Sequence, residues 1–256
     1  DSWQDLLVIE PRDVEAQHAL DRLLTDGKRF PELLDHLSYM LTHGAQGERP
    51  GLLHMRRAQI LRDELDESSR ARPDWESLLE FEPENIEALE SLADLVLAAK
   101  EYEAWSDLTL RRLALPDEQF CQRKLELIKV LGCELSRGDD AREHAGELIR
   151  EPRASWEQLS ELATACLEHN RPDQAVEALA EAVKRCEDEE SLRQLLYRIV
   201  GIEQDVLKQP AEAIWAWERL WDGDKVDLKP YEALRVLYRE QERWADLVEL
   251  HESAMS

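Results

Sequence analysis

The stretch Leu159-Ser160-Glu161-Leu162-Ala163-Thr164-Ala165-Cys166-Leu167-Glu168-His169-Asn170-Arg171-Pro172-Asp173-Gln174-Ala175-Val176-Glu177-Ala178-Leu179-Ala180-Glu181-Ala182 decides the fold. Leu159, Leu162, Ala163 and Cys166 are three and four positions apart, the spacing of one face of a helix. Glu168 to Asp173 reads as a turn, and Ala175, Leu179 and Ala182 make a second stripe. The short side chains at Ala163 and Ala175 let the two helices cross closely, because bulk at a crossing point holds backbones apart. This predicts a helix-turn-helix unit.

The unit is repeated along the chain. Trp3, Leu6, Leu7, Glu10, Pro11, Glu15 and Ala16 recur as Trp75, Leu78, Leu79, Glu82, Pro83, Glu87 and Ala88. Leu53, Arg56, Ile60, Asp63, Leu65, Ala71, Trp75, Glu76 and Leu78 recur as Leu195, Arg198, Ile202, Asp205, Leu207, Ala213, Trp217, Glu218 and Leu220. These shifts correspond to about two and four units of ~36 residues. Leu33, Ala71, Trp105, Ala141, Ala175, Ala213 and Leu247 mark the second helix of successive units. Two units carry about four extra residues, expected near Gly44 to Pro50 and near Cys186 to Glu190.

The pattern resembles the tetratricopeptide repeat (TPR) family, in particular long arrays of bacterial type. Leu159 to Ala182 fits the family unit nearly throughout, and Glu87, Ala88, Leu89, Leu92, Ala93, Val96, Tyr102 and Pro116 fit a second, with Trp105 where the family usually has Ala. The resemblance implies an all-α, right-handed α-solenoid of about seven TPR-like repeats over residues 1–256. The repeats run roughly over 13–49, 50–85, 86–119, 120–154, 155–189, 190–227 and 228–256, with 1–9 the tail of a truncated one. The absence of polar capping helices at either end reads as a fragment of a longer chain.

Composition agrees with a helix-rich protein: 43% hydrophobic, 35% charged and only nine Gly. Asp plus Glu number 57 against 32 Lys plus Arg, a net charge of -25, which disfavours nucleic acid and anionic membranes. No apolar run reaches the ~18 residues of a membrane span, and a cytoplasmic location is expected, with a periplasmic one left open. Cys121, Cys133, Cys166 and Cys186 lack metal-ligand spacing and are expected to be buried thiols. His36 and His43 could share a helix face, but no ligand set accompanies them and a turn is expected between them. No phosphate-binding loop, nucleophile elbow or HExxH motif is present, so the expectation is a non-enzyme without cofactor or metal.

The resemblance also implies where a partner would bind. Helix A of each unit lines the inner surface, and the side chains it leaves outside the core include Glu87, Glu90, Asp94, Arg123, Glu126, Glu134, Glu157 and Glu168. Acidic residues dominate, so a Lys/Arg-rich segment of a partner protein or peptide is the expected ligand. The family subset that clamps a C-terminal carboxylate uses Lys, Asn and Arg at these positions, a pattern this chain lacks. The resemblance places Trp3, Trp75 and Trp217 at a core position of helix B, and Trp244, Tyr102 and Phe30 at the turn. Trp215 points away from the core and Trp221 ends its helix, which makes Trp215 a candidate for a lateral or oligomer contact. The functional expectation is a protein-protein interaction scaffold. The alternatives are a recruiting or regulatory arm of a kinase or protease, and a self-assembling component.

Overall fold

The computed structural model describes residues 2–10, 13–43 and 50–255, and among these the regular elements are all helical. After α1 (Ser2–Ile9) the helices run in pairs, A then B. They are α2 (Val14–Asp26) with α3 (Phe30–His43), α4 (Pro50–Gln59) with α5 (Arg72–Phe81), and α6 (Ile86–Ala98) with α7 (Tyr102–Leu113). Next come α8 (Phe120–Cys133) with α9 (Gly138–Arg150) and α10 (Trp156–Glu168) with α11 (Pro172–Arg185). The last are α12 (Glu189–Gly201) with α13 (Ile214–Gly223) and α14 (Leu228–Glu240) with α15 (Trp244–Met255). Each A helix packs on its own B helix. The residues cluster into two compact units, Asp1–Glu118 and Gln119–Ser256.

In the second unit α10 and α11 are built as their sequence dictates. Leu159, Leu162, Ala163, Cys166, Ala175, Leu179 and Ala182 are all buried where α10 packs on α11, so both apolar stripes are covered. Ser155 and Gln158 form a reciprocal capping box at the start of α10, satisfying two backbone donors that a helix leaves free. Arg185 at the end of α11 donates to the carbonyls of Glu151 (2.8 Å) and Ala154 (2.6 Å), pinning α11 to the C-terminal end of α9. In the first unit Trp75, Leu78, Leu89, Leu92 and Val96 form the equivalent core, and Trp105 is accommodated as a buried side chain.

Each A helix is followed by a residue in the left-handed region. Among the described residues, the non-glycine residues with positive φ are Lys28, Asp66, Lys100, Ser136, Asn170, Lys208 and Glu242, one beyond each A helix. The following backbone N–H reaches back to close the helix, as in Arg29 N–H to Leu24 O (2.9 Å) and Arg171 N–H to Cys166 O (2.8 Å).

Two A helices differ by continuing into a π turn, Ile60–Glu64 after α4 and Ile202–Val206 after α12. Leu65 donates its N–H to Ile60 O (3.2 Å) and Leu207 to Ile202 O (2.9 Å), each bond spanning five residues. This locates extra residues of the longer units. In the later unit they lie in the π turn and the long connection to α13, while Cys186 to Glu190 is an ordinary short linker into α12. In the earlier unit the π turn and a 3₁₀ turn (Ser68–Ala71) lengthen the connection to α5; residues 44–49 lie outside the described residues.

Two further expectations are corrected. Cys133 is exposed, while Cys121, Cys166 and Cys186 are buried. His36 and His43 both lie on α3 with no turn between them, and His36 contacts Gln17 O (3.1 Å) from a buried position. Trp244 opens α15 directly after the turn and is 56% exposed.

Candidate functional site

Helical spacing places Glu87, Glu90 and Asp94 on one face of α6, three and four residues apart. They line a cleft of about 540 Å³ together with Arg62, Ser68, Trp75, Ile86, Ser91 and Leu95. The π turn matters here because it carries Arg62 to this cleft. Arg62 reaches Glu87 (2.9 Å), Ser91 Oγ (2.9 Å) and its neighbour Asp63 (2.6 Å), and its guanidinium lies 5.4 Å from the Trp75 ring centroid. Gln59 also donates to Glu87, at 3.0 and 3.1 Å. Glu90 receives Arg112 Nε at 2.9 Å. The Asp63 and Glu87 carboxylates hold Arg62 still more firmly in its charged form.

The cleft is therefore acidic but internally compensated: Arg62 in its lining pairs with Glu87, and Arg112 reaches Glu90 from α7. That compensation was invisible in the sequence, because Arg62 and Arg112 lie far from α6 in chain position. Its apolar side includes Ile86, an exposed side chain, so a long aliphatic stem ending in a positive charge matches both parts of the lining.

In the second unit Arg123 and Glu126 lie on α8, with Arg123 half-buried and Glu126 exposed and hydrogen-bonded to Gln122 (3.2 Å). Glu134 follows α8, and Glu157 and Glu168 occupy the first and last turns of α10; all three are exposed. None of these five lines the described clefts of this unit. One such cleft, of about 560 Å³, has a mixed lining that includes Glu189, Glu190, Arg193, Arg219 and Asp224. Trp215 on α13 is 38% exposed, whereas Trp221 is buried and donates Nε1 to Ser253 Oγ (3.0 Å).

Sequence reading missed one contact. Cys133 Sγ lies 3.0 Å from His169 Nε2. The signal that could have found it is their separation of one repeat, which gives them the same register on successive A helices. Among the described residues no group of three or more His, Cys, Asp or Glu is arranged to hold a metal, and no helix is long and apolar enough to cross a membrane.

No family profile and no curated protein matches this sequence. Similar solved structures include YrrB, a TPR protein with an unusual peptide-binding site, at 14% identity and a TM-score of 0.44, covering 72% of this chain and 91% of that one. The C-terminal part of a TPR repeat-containing protein from Cytophaga hutchinsonii is similar at 12% identity, covering 93% of each chain with a TM-score of 0.45. A tetratricopeptide repeat protein from Parabacteroides merdae is similar at 17% identity, covering 92% of this chain and 90% of that one with a TM-score of 0.38. The paired helices make the chain a helical repeat array, and these three similar solved structures are TPR proteins.

Proposed function

We propose that this chain is a non-catalytic protein-protein interaction scaffold that docks a Lys/Arg-bearing segment of a partner against α6. The observation carrying the proposal is the cleft in which Glu87, Glu90 and Asp94 stand beside exposed Ile86. A lysine or arginine stem can lie on the apolar side while its charge meets the carboxylates. Helices already folded and packed lose little conformational entropy on binding, so modest contacts suffice for recognition. Arg123, Glu126, Glu134, Glu157 and Glu168 extend the same reading to the A helices of the second unit, and Trp215 is assigned to a lateral contact. A cytoplasmic location and service as the recruiting arm of a larger enzyme both fit this reading.

The test is affinity capture with the unaltered chain and with a Glu87→Gln, Glu90→Gln, Asp94→Asn variant, at low and moderate salt. Neutral replacements are preferred to charge reversal, because Glu87 and Glu90 also hold Arg62 and Arg112. A partner lost in the variant and weakened by salt supports the proposal. A partner set unchanged in both respects rejects the cleft as the binding site.

A further inference from the structure

We propose that Cys133 and His169 form a nucleophilic thiol site that exchanges with low-molecular-weight disulfides. The two side chains meet across successive A helices, Cys133 closing α8 and His169 following α10. Their Sγ and Nε2 atoms are 3.0 Å apart, within reach for transfer of the thiol proton. Cys133 is an exposed residue, as access by an incoming disulfide requires.

The imidazole is held in place rather than resting on the surface by chance. A Cβ at Gly132 would collide with the His169 ring, so the bare backbone of α8 provides its seat. His169 Nδ1 is buried and without a hydrogen-bond partner, which leaves Nε2 as the ring nitrogen engaged in a polar contact. Burial first, and then the Arg171 guanidinium, hold His169 below the ordinary imidazole value. A ring kept neutral near pH 7 can accept a proton.

The other three thiols provide an internal contrast. Burial pushes Cys121 up and takes Cys166 to about 11. Cys186 is buried and its Sγ donates to Asp188 O at 3.4 Å. Among the four, only the Cys133 sulfur combines exposure with an adjacent base.

The exchange balances without a further reagent. His169 Nε2 takes the Sγ proton, the thiolate attacks one sulfur of the incoming disulfide, and the new S–S bond forms as the old one breaks. The departing thiolate recovers the proton from the imidazolium. The products are a mixed disulfide on Cys133 and one small thiol. Glu134 and Glu168, which adjoin the pair in sequence, are both exposed.

The test exposes the reduced, folded chain to glutathione disulfide at pH 7 and maps the adduct by peptide mass. A pH–rate profile with an aromatic disulfide follows, for the unaltered chain and for His169→Gln. The expected result is modification at Cys133 ahead of the other cysteines, about tenfold slower in His169→Gln, with an inflection from the His169 imidazole, below its ordinary value, that the substitution removes. Should His169→Gln not fold, the profile of the unaltered chain decides, because that inflection is absent if the imidazole plays no part. Reaction at another cysteine first, or a Cys133 rate and profile equal to those of the unfolded chain, overturns the proposal.

Discussion

Glu203 occupies, in the second π turn, the place that Leu61 occupies in the first, and both side chains are buried, with 6% and 3% exposure. One copy of the turn thus puts a hydrocarbon into its core and the other a carboxylate. Glu203 Oε2 has no hydrogen-bond partner, and burial first, then the Glu212 and Asp173 carboxylates, raise its pKa. Because the folded value lies above the unfolded one, the penalty is absent below the ordinary carboxylate range and is fully present above the raised value. Glu203→Leu is expected to stabilise the chain at pH 7 by about 1–2 kcal/mol in denaturant unfolding. For Glu203→Gln, the gain should shrink as the pH is lowered into the carboxylate range. A loss of stability in Glu203→Leu would mean that the carboxylate is satisfied by ordered water.

Lys100 closes α6 with φ at 59°, a conformation that crowds its Cβ against the backbone and costs glycine nothing. The side chain is exposed, so its removal forfeits little packing. Lys100→Gly is expected to raise stability by about 0.5–1 kcal/mol, after allowance for the greater freedom of glycine in the unfolded chain. Thermal unfolding measures it, and an unchanged or lower midpoint contradicts the account.

Arg185 joins α11 to the end of α9 through carbonyls that no helical N–H can reach, those of Ile149, Glu151 and Ala154, and also pairs with Glu181 (3.0 Å). Arg185→Ala removes the donors, leaving the Glu151 carbonyl only its bond from Ala154 N–H (3.1 Å) and the Ile149 and Ala154 carbonyls without the guanidinium, and is expected to cost about 2 kcal/mol in chemical denaturation. Arg185→Lys keeps the charge but not the planar fork and should fall between the two. Equal stability of all three chains would show that water replaces the contact.

The repeat was legible because apolar spacing and the recurrence of whole sets of residues survive in sequence. Leu159 to Ala182 fold as their stripes predict, and the match between Ile60 and Ile202 foreshadowed two equivalent turns. The form of those turns was not legible, since five-residue hydrogen bonds leave no preference strong enough to read. Nor do most of the helix stops advertise themselves: of the seven left-handed residues, only Asn170 and Asp66 are types that favour that conformation, and Lys, Ser and Glu do not. Helical spacing alone puts Glu87, Glu90 and Asp94 on one face of α6, while their partners Arg62 and Arg112 arrive from other helices. The Cys133–His169 contact depends on stacking one repeat beside the next, which local spacing cannot express.

The most direct test of the scaffold account is fluorescence anisotropy of two labelled peptides of equal length, one Lys/Arg-rich and one Asp/Glu-rich, titrated with the folded chain. The basic peptide should bind and weaken with added salt, the acidic peptide should not bind, and the Glu87→Gln, Glu90→Gln, Asp94→Asn variant should lose at least about tenfold in affinity, equivalent to ~1.4 kcal/mol. Equal affinity for both peptides, or a variant that binds the basic peptide as well as the unaltered chain, would contradict recognition of a basic segment at α6.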